Sequence, residues 1–219
     1  MPAEGALRDR LGTGHALIET LRWDPAAGFV RLGRHLGRMA ASAQALGFPF
    51  DRDAAENTLA AAADADAPLR MRLTLAADGV LEATAAPFTP LPAGARWRIA
   101  VADTRLDSTD PLLAHKTTRR AVYESARAEY APADADEVLL FNERGELCEG
   151  TITSVFLDMD SGPLLTPAMG CGLLPGVLRA ELLEQGKAVE AVIDLAMLRA
   201  ARAILVGNSL RGLIPAGLA

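Results

Sequence analysis

The chain has 219 residues, half of them hydrophobic, a net charge of −6 and only two cysteines. That length suits one large domain or two small ones sharing a core, and its basic residues are spread out rather than clustered, which argues against nucleic acid or an anionic membrane as partner. No apolar run reaches the roughly 18 residues of a membrane helix, the opening "MPAEGALRDRLG" has no apolar stretch of the signal-peptide kind, and Cys148 and Cys171 are too few and too distant for a metal set or a disulfide framework, so reduced thiols, no metal and a cytoplasmic location are expected.

In chain order, the pattern predicts two strands, 15–24 and 28–35, around the turn "DPAAG". Residues 32–48 set Leu36, Met39, Ala43 and Leu46 at helical spacing, with Gly47 as C-cap. An Ala-rich helix follows within 54–68, with a polar end before Pro68. Residues 69–88 alternate apolar and polar around "ADG" and read as a hairpin, and 95–103 as another strand. The polar run 104–112 has no periodicity and contains Pro111, which predicts a linker there. It would separate a smaller N-terminal α/β domain, 1–104, from a larger C-terminal domain, 112–219. Next come an amphipathic helix at 118–131, a hairpin at 136–150 around "NERG" and a second hairpin at 153–167. A helix at 173–186 has Pro175 near its start and Gly186 at its end. Helix, strand, polar turn and strand fill 194–216. Short hairpins outnumber βαβ units, so the class is α+β, or α/β in the broad sense, rather than a doubly wound parallel sheet.

Five places could carry chemistry. Lys116 is one of two lysines among 22 basic residues and stands next to His115. An ammonium can lose its proton when desolvated or set near another cation, whereas a guanidinium cannot, so Lys116 could form a Schiff base with a carbonyl; a solvated surface lysine is the plainer alternative. Glu149 is either a strand-end carboxylate facing water or one turned into a cleft, where it could pair with a protonated pyridine nitrogen. Pro175 and Gly176 open a helix whose first amides suit a phosphate, although most such starts bind nothing. In "LVGNSLRGLIPA", Asn208 and Ser209 offer donors at a strand-to-turn junction, or simply make a turn. Arg38 flanks the 32–48 helix near His35, as a site cation or a solvated side chain.

The order "HKTTRR", "DEVLLFNERGELCEGTITSVFL", "LLTPAMGCGLLPGVLR", "GNSLRGLIPA" resembles the class IV pyridoxal-phosphate enzymes, from about residue 16 to the C-terminus. Its likeness is greatest to their 4-amino-4-deoxychorismate lyase branch. The resemblance implies two mixed α/β domains with pyridoxal 5'-phosphate in the cleft between them. It implies that Lys116 carries the cofactor and that Glu149 pairs with its ring nitrogen. Val177 and Leu178 at the helix start, Arg38, Asn208 and Ser209 would hold the phosphate. The implied reaction gives 4-aminobenzoate and pyruvate, on the route to folate. The freed Lys116 would remove the α-proton, and Arg120 and Arg211 would bind substrate carboxylates. A transaminase acting on branched-chain or D-amino acids is the alternative, and a non-catalytic homologue the second. A small-molecule substrate, a homodimer and a functional link to aminodeoxychorismate synthase are implied as partners. The likeness thins at "GTGHALIET", where Glu19-Thr20 is kept and His15 stands at a place that is commonly aromatic or acidic and helps wall the pocket. It thins again after Lys116, where Arg119-Arg120-Ala121 occupies the place of a tyrosine and the nearest tyrosine is Tyr123.

Overall fold

The computed structural model describes residues 4–219; the "MPA" that opens the sequence lies outside the described residues. The chain divides into two compact units. The first runs through Pro90 and takes in His115–Arg119; the second comprises Leu91–Ala114 and Arg120–Ala219. The division therefore falls near Pro90, not at 104–112. Residues 97–106 are a strand of the second unit, and Pro111–Ala114 forms a 3-10 turn within it.

The first unit contains α1 (Glu4–Leu11), β1 (Leu17–Asp24), β2 (Gly28–Phe29), α2 (Leu32–Leu46), α3 (Arg52–Ala62), β3 (Leu69–Leu75) and β4 (Leu81–Pro87). The strands form an antiparallel sheet in the order β2-β1-β3-β4. Along β3, Leu69, Met71, Leu73 and Leu75 are buried while Arg70 and Arg72 are exposed, so one face is apolar. α2 packs on β1 and α3 on β3 and β4, and Leu36, Met39, Ala43 and Leu46, the stripe expected on α2, are buried with Ala55 and Leu59 of α3. Fully burying each of the leucines and methionines contributes about 1.5–3 kcal/mol. The strand expected at 28–35 is only two residues long. Arg31 turns into the left-handed region (φ 59), which redirects the chain into α2 at once. Gly47 (φ 66) caps α2 as expected, its N–H donating to the Ala43 and Gln44 carbonyls. Asp51 accepts from the Ala54 N–H at 3.0 Å and starts α3.

The second unit contains β5 (Trp97–Leu106), α4 (Ala121–Ala128), β6 (Glu137–Asn142), β7 (Leu147–Gly150), β8 (Ser154–Asp158), β9 (Leu164–Pro167), α5 (Val177–Glu184), β10 (Ala188–Ala191), α6 (Leu195–Ala200), β11 (Ala203–Asn208) and β12 (Gly212–Leu218). They build a mixed sheet in the order β10-β9-β8-β11-β12-β5-β6-β7. The pairs β9–β10, β5–β12 and β5–β6 are parallel. Every residue of β6 is buried. Leu139 and Phe141 pack into one apolar cluster with Val155, Leu198 and Ile214; Val138 and Leu140 pack into another with Ala126 and Leu173. The sheet is thus covered on both faces there. A third cluster seats Leu178 and Leu182 of α5 on Phe156. The hairpin at "NERG" turns on Gly145 (φ 77). The helix expected at 118–131 begins only at Ala121, because the Thr118 N–H is engaged outside any helix, donating to the Ala16 carbonyl.

Candidate functional site

In the first unit, Lys116 lies on an extended segment paired antiparallel with β1 at Leu17 and Thr117. The Ile18 N–H donates to the Lys116 carbonyl at 2.9 Å, and the Thr118 N–H to the Ala16 carbonyl at 2.9 Å. The Thr118 hydroxyl accepts from the Ala16 N–H at 2.9 Å and lies 3.3 Å from His15 Nδ1. His15 is therefore placed beside the Lys116 segment. The His115 ring nitrogen Nδ1 is 2.9 Å from the Ser42 hydroxyl, and burial lowers its pKa. His115 is consequently an uncharged neighbour of Lys116 at neutral pH, not an additional cation. The lysine side chain itself is half-buried.

The same strand carries Glu19, whose carboxylate is 1 % exposed. Arg38 grips it in bidentate fashion, Nε to Oε1 at 2.8 Å and Nη2 to Oε2 at 2.6 Å. His35 Nδ1 is 2.6 Å from Oε2. Burial alone would raise the Glu19 pKa, but the Arg38 charge and the hydrogen bonds from His35 and Arg38 outweigh it and hold the carboxyl at about 2. Both groups come from one turn of α2, so the helix is locked to β1. In the sequence Arg38 and the Glu19-Thr20 pair stand apart, with nothing to show that Arg38 and Glu19 form one ion pair.

In the second unit, Glu149 ends buried on β7 and accepts at Oε1 from the Tyr123 hydroxyl at 2.8 Å and from the Leu174 N–H at 3.1 Å. Burial, then the Glu149 charge, raise the Tyr123 pKa well above its usual value, so the phenol stays protonated and donates. In the sequence Tyr123 stands out only as the nearest tyrosine after Lys116. The Arg120 guanidinium stacks 4.9 Å from the centre of the Tyr123 ring and donates to the Thr151 carbonyl at 2.6 Å.

Val177 and Leu178 are the first residues of α5, and Gly176 before them provides no side-chain cap. A Cβ on Gly176 would lie 2.4 Å from Ser154 Oγ, so only glycine lets the helix start sit against β8. A Cβ on Gly207 would lie 2.6 Å from the Gly212 carbonyl oxygen and 3.0 Å from Leu178 Cδ2. That close approach brings the α5 start and the β11–β12 turn together, and with them Leu178, Asn208 and Ser209. Within the turn, Asn208 Oδ1 accepts from the Leu210 and Arg211 N–H groups at 3.1 and 3.0 Å, and Nδ2 donates to the Ile152 carbonyl at 3.2 Å. Ser209 is buried. The Arg211 guanidinium lies 5.8 Å from the Trp97 ring centre. The expected residues thus fall into two sets. His15, Arg38 and Lys116 belong to the first unit; Arg120, Glu149, Val177, Leu178, Asn208, Ser209 and Arg211 belong to the second.

Residues 16–218 match the model of the class IV amino-transferases, and the chain belongs to that family, whose members are pyridoxal-phosphate-dependent enzymes of α+β fold. Among its relatives, a Schizosaccharomyces pombe protein provisionally named aminodeoxychorismate lyase is 30 % identical over 201 residues, 89 % of this chain and 86 % of the relative. A crystal structure from Mesorhizobium loti, provisionally named an amino-acid aminotransferase, is 53 % identical with a TM-score of 0.92, covering 94 % of this chain and 100 % of that one. The 4-amino-4-deoxychorismate lyase of Pseudomonas aeruginosa is 26 % identical with a TM-score of 0.78, covering 95 % and 84 %.

The residues present fit pyridoxal phosphate on physical grounds. The α5 start presents helix-end amides, the natural seat of a phosphate, behind two glycines that admit no side chain. Glu149 is a buried carboxylate met by a phenol and an amide, the kind of group that pairs with a protonated ring nitrogen. Among the described residues, no helix is long and apolar enough to cross a membrane.

Proposed function

We propose that the chain is a 4-amino-4-deoxychorismate lyase, releasing pyruvate and 4-aminobenzoate. The observation that carries this reading is the likeness, over 89 % of this chain and 86 % of the relative, to the S. pombe protein of that name. The run "NERGELCEG", "GLLPGVLR", "GNSLRGLIPA" supports it. When bound, pyridoxal phosphate supplies an aldehyde for the substrate amine and an electron-poor ring that accepts charge from the adjacent carbon.

The roles of the chain's own residues follow from their chemistry. Lys116 Nζ holds the cofactor, then takes the proton from the substrate carbon bearing nitrogen. It returns a proton to the methylene carbon of the departing enolpyruvyl group, which leaves as pyruvate. No water is consumed, because the two products divide the atoms of the substrate, and the ring that remains is aromatic. Glu149 keeps the ring nitrogen protonated, with Tyr123 and the Leu174 N–H orienting the carboxylate. The Val177 and Leu178 amides, Asn208, Ser209 and Arg38 bind the phosphate. Arg120 and Arg211 serve the substrate carboxylates. The reading carries with it a homodimer in the cytoplasm, working in folate synthesis after an aminodeoxychorismate synthase.

The test is to incubate the purified protein with pyridoxal phosphate and aminodeoxychorismate and to assay 4-aminobenzoate and pyruvate. Lys116→Ala should lower the rate by at least about 10³-fold, within the range of a lost general base. Product no greater than with that variant would overturn the reading. A second reading, transaminase, is favoured by the name given to the M. loti structure. Stoichiometric conversion of the bound cofactor to pyridoxamine phosphate by an amino acid would support it.

A further inference from the structure

Glu137 opens β6 and is 1 % exposed, with apolar clusters on both faces of its strand. Its carboxylate meets five donors. Oε1 accepts from the Val138 N–H at 2.9 Å, the Thr151 N–H at 3.0 Å and the Thr151 hydroxyl at 2.5 Å. Oε2 accepts from the Ile152 N–H at 3.1 Å and the Thr153 hydroxyl at 2.8 Å. Four of these donors belong to Thr151–Thr153, the turn from β7 to β8 that directly follows Glu149 and Gly150. The same turn receives Arg120 at the Thr151 carbonyl (2.6 Å) and Asn208 at the Ile152 carbonyl (3.2 Å). Three residues assigned above to cofactor or substrate thus border one short turn, and the turn is built around one carboxylate.

Gly150 gives a second, independent sign of how closely the carboxylate is seated. A Cβ there would lie 2.8 Å from Glu137 Cδ and Oε2 and 2.4 Å from Thr153 Oγ1. The backbone at Gly150 therefore runs directly against the carboxylate.

We propose that Glu137 is a positioning residue: it fixes the Thr151–Thr153 turn and, through it, the placement of Glu149, Arg120 and Asn208. The proposal rests on the reading of Glu149 and Asn208 as cofactor-binding residues. A buried carboxylate is tolerated only when its lone pairs are filled, and here both oxygens face backbone N–H groups, which can only donate. Glutamine has the same shape but replaces one oxygen by an NH₂ group. Either placement of the amide sets its hydrogens against at least one backbone N–H, from Val138 and Thr151 or from Ile152. The turn loses an anchor while the volume of the core is unchanged.

The experiment compares the full-length parent with Glu137→Gln, Glu149→Gln, Asn208→Ala and Thr166→Val. Thr166 donates to the Val155 carbonyl at 2.9 Å, so its variant loses a buried hydrogen bond elsewhere in the second unit. Amide exchange at Ile152 is read in cofactor-free protein, and affinity for pyridoxal phosphate by titration. Glu137→Gln should speed exchange at Ile152 about tenfold, the equivalent of one hydrogen bond, and weaken cofactor affinity by about the same factor, while Thr166→Val leaves both near the parent. Exchange no faster than in Thr166→Val would overturn the proposal. Parental cofactor affinity in Glu137→Gln beside weakened affinity in Glu149→Gln would overturn it too. Equal affinity in the parent, Glu149→Gln and Asn208→Ala would instead sink the reading of those two residues, and the exchange measurement alone would then decide whether Glu137 holds the turn. Should Glu137→Gln fail to fold, Thr153→Val removes one donor from Oε2 and should raise exchange at Ile152 severalfold; no rise would count against the proposal.

Discussion

Glu19 in the first unit and Glu137 in the second are each 1 % exposed, yet the donors around them differ in kind. Glu19 faces a guanidinium and an imidazole. Glu137 faces three backbone amides and two hydroxyls. The first arrangement joins a helix to a strand through charge, so removing the carboxylate breaks a charged pair. The second shapes a turn through the directions of neutral donors, so removing the charge leaves nothing charged behind. One carboxylate therefore acts mainly on stability, and the other mainly on geometry.

The strongest way to break this contrast is Glu19→Gln. It removes the buried charge that Arg38 grips, and breaking a buried pair costs about 3–5 kcal/mol. The two tryptophans separate the units: Trp23 belongs to the first and Trp97 to the second. Urea unfolding followed by Trp23 fluorescence in a Trp97→Phe background should show the full loss. An equal loss reported by Trp97, in a Trp23→Phe background, would mean that the two units unfold as one cooperative whole and that the effect of Glu19 is not confined to its own unit.

Acid sharpens the contrast next. The Glu19 carboxyl is lowered from 4.5 to about 2 on folding. Its contribution, about 3 kcal/mol by linkage, is complete above the unfolded value and is lost as the pH falls towards 2. Stability measured from pH 6 down to 2 should therefore fall more steeply in the parent than in Glu19→Gln. Parallel curves would remove the charge from the explanation.

The smallest expected effects come from the helix caps. Asp51 accepts from the Ala54 N–H in the first unit, and Asp194 from the Met197 N–H at 2.7 Å in the second. Alanine at either position should cost about 1 kcal/mol, seen in urea unfolding by the tryptophan of its own unit.

Local features were legible in the sequence. The stripe on α2, its Gly47 cap and the hairpins turning on Gly79 and Gly145 all follow from near neighbours in the chain. Pairings between distant residues were not. Nothing in "WRIAVADTRL" shows that residues 97–106 take β12 and β6 as parallel partners, and nothing in "HKTTRR" that the Lys116 segment joins β1. The amine, the carboxylate and the polar turn stand out in the sequence as candidates, because few residue types can fill such roles. Their supports were not. Glu19 reads as one letter of a short motif and Tyr123 as a displaced tyrosine, until Arg38 and Glu149 are seen beside them. Glu137 gave a faint sign: a charged residue opening the run "EVLLFN" must find donors if both faces of the strand are covered.

The chain leaves the first unit at Pro90, returns to it for His115–Arg119, and departs again. A gene fragment ending at Pro90 would encode a sheet lacking the segment whose Lys116 carbonyl takes the Ile18 N–H. A fragment starting at Leu91 would carry that segment with no sheet to receive it. Neither half can be duplicated, traded or circularly recombined as a self-contained cassette, because the lysine is encoded in one stretch of the gene and seated by another.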